Sequence, residues 1–234
     1  MIVALGGERR QWLFRNGTFA GLVGRAAIGN DKGTDSKEMK SLLYYSHGHK
    51  VPAMVVNARI IGFYSGEEPD HRGRYLHEIQ EWADGQLEAV HDYIQWVFPL
   101  PERSGFNVAA PVLTSESIRE FSARPDLQEK LRVSFLRMMN FYGFEARSGE
   151  QAIVTRAPNF AAKATVWLSP GNHNHLRITR ILRCLSLLGL EAEAKAFFDC
   201  LCEIYDYEQN NPMPAISDET MLYWREAVGD ARNG

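Results

Sequence analysis

The chain has 234 residues, 45% hydrophobic and 24% charged, with 26 basic and 29 acidic side chains and a formal net charge of −3. This supports a substantial folded core and excludes wholesale disorder. The near-neutral balance argues against a general polyanion binder but leaves room for a local basic patch, and no apolar run reaches the roughly 18 residues of a membrane-spanning helix. Cys184, Cys200 and Cys202 form neither an even set nor a Cys-x-x-Cys pair. A disulfide framework and a four-cysteine zinc site therefore drop out, and a reducing, cytoplasmic setting is expected.

Residues 1–50 are rich in glycine and polar side chains and read as a variable or poorly ordered leader, with a short helix expected around Lys37–Tyr44. The apolar opening Met1–Leu5 is too short for a signal-peptide core, and its basic residues follow it. Gly21–Gly24 and Gly29–Gly33 lack the Gly-Lys-Ser/Thr ending of a phosphate loop. Val51–Tyr64 is apolar and partly β-branched, which suits a short strand or an irregular arm. Leu76, Ile79 and Trp82 mark a helical face over Tyr75–Ala83, and Asp84 is placed to cap the next helix. Leu87, Val90, Ile94, Val97 and Phe98 predict one helix over 86–98, ended by Pro99.

Pro99–Pro111 reads as a loop. Leu113-Thr114-Ser115 then opens a short helix running to Phe121, with a hydroxyl cap. Asp126 and Glu129 have capping-box spacing before the stripe Leu127, Leu131, Phe135, Met138 and Tyr142, and Gly143 suits its stop. Residues 145–173 form a crossover that Trp167-Leu168 docks on the core. Ile178 to Leu188 and Ala194 to Tyr205 predict an αα-hairpin broken at Gly189. Asp218–Val228 adds a helix, and 229–234 read as a flexible tail. The expected fold is all-α: a compact, irregular multi-helix domain over 51–228, with a C-terminal αα-hairpin and a short extended N-terminal arm. No βαβ series is present to support a Rossmann sheet.

Three constellations bear on chemistry. Glu88 and His91 have the i, i+3 spacing of carboxylate-bridged metal bundles, but the second Glu-x-x-His such a site needs is missing. Local hydrogen bonding is the expected role, with no metal and no cofactor. Arg177, Arg180 and Arg183 form a basic strip behind Asn172, His173, Asn174 and His175. Two readings stand for it. The strip and the helix beginning bind a carboxylate, a phosphate or an acidic partner segment, or the arginines pair internally. Asn174 and His175 also suit helix capping. Tyr93–Trp96 and Met138–Tyr142 are apolar stripes that pack a core or line a peptide groove, with Gln95 satisfying a buried backbone group. Arginines are not interleaved with aromatics as in RNA binders, so no nucleic acid is expected. No Cys or Ser has a visible activating partner, so no catalytic residue is assigned.

His91-Asp-Tyr-Ile-Gln-Trp-Val-Phe-Pro-Leu100 resembles the signature His-x-Tyr-Ile-Gln-Trp-Leu-Phe-Pro-Leu of the opioid growth factor receptor conserved region. Asn107–Pro111, Leu113-Thr114, Phe141-Tyr142-Gly143-Phe144, the block Asn174–Leu182 and Leu188-Gly189-Leu190 extend the likeness over about residues 60–205. The resemblance implies a mainly helical, non-catalytic domain that binds a peptide or protein. It places His91, Tyr93, Ile94, Gln95, Trp96, Phe98, Pro99, Phe141, Tyr142 and Gly143 in signature and core positions. Binding of an opioid growth factor peptide, with nuclear-envelope or peripheral membrane association, is implied by the resemblance alone. The alternatives are a small anion-dependent or metal-dependent enzyme and a structural adaptor. Neither the natural partner nor the oligomeric state is set by the sequence.

Overall fold

A computed structural model of the chain describes residues 43–46, 49–148 and 151–229, with side chains from Arg59 onward. Most of the expected leader, including 37–42 of its short helix, and residues 230–234 of the expected tail lie outside the described residues. Leu43–Ser46 (β1) pairs antiparallel with His49–Pro52 (β2), Leu43 opposite Pro52. Leu43 and Tyr44 are therefore strand and do not end a helix, and of the stretch 51–64 only Val51 and Pro52 are extended. Ala53–Ser65 is a 13-residue helix, α1, which corrects the strand-or-irregular reading of Val51–Tyr64. Ile60, Phe63 and Tyr64 are all fully buried. A helix this apolar presents no broad polar face, so its period is hard to read from the sequence.

The next three helices are short: Leu76–Gln80 (α2), Asp84–Ala89 (α3) and Ile94–Val97 (α4). The single helix expected over 86–98 is thus broken between Val90 and Tyr93, where Val90 is extended (φ −94°, ψ 131°). The apolar spacing continues across the break because both pieces pack on one core. Asp84 does not cap α3. Ala83 holds that position, and its N–H donates to Gln86 Oε1 at 3.2 Å. Asp84 instead pairs with Arg137 at 2.8 Å and with Lys163. Burial opposes its charge, but the two cations outweigh it and hold the carboxyl below its usual range.

Ser115–Ser122 (α5) is capped as expected: Thr114 Oγ1 accepts from Ser117 N–H at 3.1 Å, and Ser117 Oγ accepts from Thr114 N–H at 2.7 Å. Pro125–Tyr142 (α6) starts one residue before Asp126, with proline in its first turn. Gly143 ends it at φ +88°. The crossover contains an antiparallel hairpin, Phe144–Arg147 (β3) with Ile153–Arg156 (β4), and a five-residue helix, Phe160–Ala164 (α7). Four-residue strands are too short for alternation to announce them. Trp167 docks the crossover: it is fully buried, and its indole N–H donates to Tyr142 O at 3.0 Å.

Asn174–Leu187 (α8) and Glu191–Glu208 (α9) form the αα-hairpin around Gly189 (φ +86°), and Asp218–Gly229 (α10) packs against both. The described residues make an all-α domain carrying two separate two-stranded sheets. Its core joins Phe135, Phe197, Phe144, Trp167 and Tyr142 through ring contacts of 5.5–6.0 Å.

A Cβ at Gly143 would lie 2.8 Å from Lys163 Cβ and 3.1 Å from Phe160 Cα, at a positive φ. Gly143→Ala should cost more than about 1 kcal/mol. Gly73→Ala, at φ +79° with nothing within 4 Å, should cost less. Urea midpoints of the two variants test the order.

Candidate functional site

Short helices end in carbonyls that have no intrahelical donor. In this domain cations from the long helices meet them. At the end of α1, Ser65 O accepts from Lys130 Nζ of α6 at 2.8 Å. Just beyond α2, Trp82 O accepts from Arg137 Nε and Nη2 at 3.1 and 2.6 Å. Around the end of α3, Leu87 O, Glu88 O and Val90 O accept from Arg177 of α8 at 2.9, 3.4 and 3.1 Å. Beyond α4, Phe98 O accepts from Arg180 Nη1 at 3.0 Å. The helix dipole favours a cation at the ends of α1, α3 and α4, whereas Arg137 stands at the start of α3, where Asp84 balances its charge.

The strip Arg177, Arg180 and Arg183 therefore runs along the signature segment. Arg177 is only 5% exposed and also sits 5.8 Å from the Tyr93 ring centroid. Burial lowers the Arg180 guanidinium below its ordinary value. Arg183 Nη2 donates to Glu102 Oε1 at 2.7 Å. All three guanidinium groups are engaged by the protein's own oxygens.

Asn172–His175 form a hub rather than an open anion cradle. Asn172 Oδ1 accepts from Asn174 N–H at 2.9 Å, and Asn172 Nδ2 donates to Val166 O at 3.0 Å. Asn172 thus takes the local capping role expected of Asn174 and His175. Fully buried Asn174 donates to Glu88 Oε2 at 3.1 Å, and its Oδ1 accepts from Tyr142 and Arg177. His175 Nε2 lies 3.0 Å from Trp167 O, while His175 O accepts from Trp224 Nε1 at 3.1 Å. His173 remains exposed, 3.4 Å from Glu88 Oε1.

Glu88 and His91 do not share the site that their spacing suggests. The helix ends at Ala89, so His91 swings outward, its Nδ1 3.0 Å from Ala89 O and its ring 5.2 Å from that of His173. Among the described residues no group of three or more His, Cys, Asp or Glu is placed to hold a metal ion. Burial pushes the Cys184 thiol well up and that of Cys200 to about 11, away from nucleophilic thiolate. Tyr93, Ile94, Gln95, Trp96, Phe98, Pro99, Phe141, Tyr142 and Gly143 are buried, whereas His91 is exposed and leaves the expected core set. The cavity lined by Ile79, Leu87, Tyr93 and Met138 holds about 10 Å³, room for one water rather than a substrate.

In the sequence Pro99–Pro111 reads as a loop whose second half, Asn107–Pro111, carries part of the resemblance, and in the structure this loop is built. Asn107 is buried and donates to Asp92 O at 2.6 Å, and its Oδ1 accepts from Ala109 N–H at 3.1 Å. Ser104 Oγ accepts from Phe106 N–H and Asn107 N–H at 3.1 and 3.2 Å. Phe106 and Val108 are left 77% and 64% exposed on either side of the anchor. Asp92 is itself held by Arg74 at 2.9 Å and Arg72 at 3.0 Å. The pattern Phe-Asn-Val inside a Ser/Gly loop was the available signal.

A family model described as the opioid growth factor receptor (OGFr) conserved region matches residues 56–233. The chain belongs to this family. It is 39% identical to the opioid growth factor receptor of Rattus norvegicus over 137 residues, which is 56% of the chain and 23% of that protein. For the Homo sapiens receptor the figures are 40% over 122 residues, 51% and 18%. For the opioid growth factor receptor-like protein 1 of Xenopus tropicalis they are 32% over 202 residues, 80% and 38%. The matches thus span well under half of these relatives' own length. No solved structure matches the chain. The two sequence blocks that carry the family resemblance touch one another: Arg177 and Arg180 of the second hold the helix ends that bracket the first.

Arg177→Met leaves three carbonyls without that donor and should cost about 3 kcal/mol or more. Arg177→Lys should fail to restore it, since an ammonium does not reproduce the planar fork. Arg183→Gln, on a more exposed pair, should stay within about 1 kcal/mol. Urea unfolding measures all three. Burial lowers the pKa of His71, His173 and His175 from 6.5. The unfolded chain therefore binds more protons than the folded one just below that pH. Stability should be complete above about pH 6.5 and fall as acidification proceeds toward the depressed folded values. His175→Gln should flatten part of that slope in melts between about pH 7.5 and pH 5.5.

Proposed function

We propose that this domain is a protein- or peptide-binding module that meets its partner on the loop between Pro101 and Pro111. The observation that carries this reading is the pair Phe106 and Val108, exposed on a loop whose central residue, Asn107, is buried and hydrogen-bonded. Exposed apolar side chains on a mobile loop lose entropy on binding, and anchoring reduces that cost in advance. Arg72 and Arg103 stand exposed nearby in the fold and in sequence. An acidic ligand, expected from the arginine strip, has better-placed cations here than Arg177, whose donors face inward. The partner chemistry we favour is an apolar side chain flanked by carboxylates. The names of the relatives link those proteins to an opioid growth factor, and we extend receptor-type peptide binding to this chain as the finer form of the proposal.

The test titrates opioid growth factor peptide and a synthetic acidic peptide with a central Leu into the wild type and the Phe106→Ser/Val108→Ser variant. Saturable binding to the wild type, weakened about tenfold or more in a variant with an unchanged melting curve, is the expected result. Equal affinity of both proteins for every peptide that binds would overturn the loop as the site. Absence of saturable binding by either peptide would overturn the ligand chemistry.

A further inference from the structure

We infer a second interaction surface, independent of the Phe106 loop: the outer face of α9 and α10 docks a Lys- and Arg-rich segment of a partner protein that carries an apolar side chain among its cations. Charge is strongly segregated along this chain. Between Glu191 and Gly229 the sequence holds nine acidic side chains and two basic ones, Lys195 and Arg225, although the whole chain carries −3; Arg132 and Arg156 reach α9 from outside this stretch. Glu193 is buried and answered by Arg132 at 3.0 Å, and Asp199 pairs with Lys195 at 2.6 Å. Glu203, Asp206, Asp218, Glu219 and Glu226 are exposed. Among the described residues, none of these five has a cation within ion-pair distance.

Carboxylates alone define no site, but α9, α10 and the turn between them also expose apolar side chains. Tyr207, Met213 and Leu222 are 67%, 77% and 48% exposed. The turn that carries Met213 is closed: Tyr205 Oη donates to Asp218 Oδ1 at 2.8 Å, and Ala215 N–H donates to Glu208 Oε2 at 3.4 Å. Buried Ala215 and Ile216 pin the same turn to the core. On α10, Leu222 lies between Asp218 and Arg225 at i−4 and i+3, and on α9 Asp199, Glu203 and Asp206 follow one another along one side.

The chemistry selects the occupant. A polyanion, whether nucleic acid or an acidic membrane, is repelled by such a face. A second copy of the same face meets like charge on like charge. The carboxylates do not converge in any group of three placed to hold a metal ion, among the described residues. A polycationic segment gains from every exposed carboxylate, and an apolar side chain on it gains the exposed Leu222 and Met213.

The probe is a synthetic amphipathic peptide of about 20 residues, with Lys and Arg on one helical face and Leu on the other, read by fluorescence anisotropy against the full chain. The double change Glu203→Lys/Asp206→Lys should weaken binding about tenfold or more, and Leu222→Ser/Met213→Ser severalfold. Raising the salt from about 0.05 M to about 0.5 M should weaken it as well. Glu67→Lys/Glu81→Lys, an equal charge change on exposed residues elsewhere, should leave affinity within about twofold. Melting curves confirm folding, and Glu203→Gln/Asp206→Asn carries the same test if the reversed pair fails to fold. No saturable binding by the wild type overturns the proposal. So does an equal loss in the Glu67/Glu81 control, or no effect of removing Leu222 and Met213. Phe106→Ser/Val108→Ser should not change affinity for this probe, so failure at one surface is read separately from failure at the other.

Discussion

Carbonyls at or just beyond the ends of the first four helices take donors from side chains of two long helices, in addition to the local bonds that close α1 and α2. Lys130 and Arg137 on α6 serve the ends of α1 and α2, while Arg177 and Arg180 on α8 serve those of α3 and α4. A buried carbonyl without a partner costs about 1–3 kcal/mol, so α8 contributes to holding the broken segment from Leu87 to Phe98, together with Tyr64 and the core. This joint explains how helices of four to six residues persist, far below the length at which an isolated helix holds in water.

The same joint ties remote parts of the chain to one another. Asn174, one turn before Arg177 on α8, contacts Glu88 and Tyr142, and the neighbouring His175 bridges Trp167 to Trp224. Helix α10 is therefore bound through an indole N–H to the first turn of α8, whose arginines hold the signature segment. The crossover is bound in turn through Trp167 to the end of α6. Polar contacts among buried groups are directional, and here they fix the register of packed apolar surfaces that hydrophobic burial alone would leave free to slide.

The sequence revealed those elements whose physics is local. The stripes of α6, α8 and α9 repeat over several turns, and Gly143 and Gly189 take the positive φ that suits a helix stop. Thr114 caps within three residues of itself. What escaped was non-local. The apolar run of α1 shows no polar face to reveal its period. The break at Val90 depends on Arg177, some ninety positions away, and β3 and β4 are recognisable only once paired. The constellation Asn172–Arg183 was visible as a cluster of residues, but whether its guanidinium groups faced water or carbonyls was decided by helices elsewhere in the chain. The exposed pair Phe106 and Val108 was hidden by a similar dependence, since their loop is organised through Asn107 on Asp92.

Net charge is a poor guide to what this surface offers. Arg74, Arg132, Arg137, Arg177 and Arg183 direct their guanidinium groups to carboxylates or carbonyls of the domain itself, and several of those partners are buried. Cations used in this way are partly withdrawn from solvent, while the carboxylates of α9 and α10 other than Glu193 are less enclosed. An outer face can thus be strongly acidic in a chain whose formal charge is only −3. A motif rich in arginine therefore need not report a ligand. In this family domain the block Asn174–Leu182 is a fold determinant, because its arginines complete the backbone of another block.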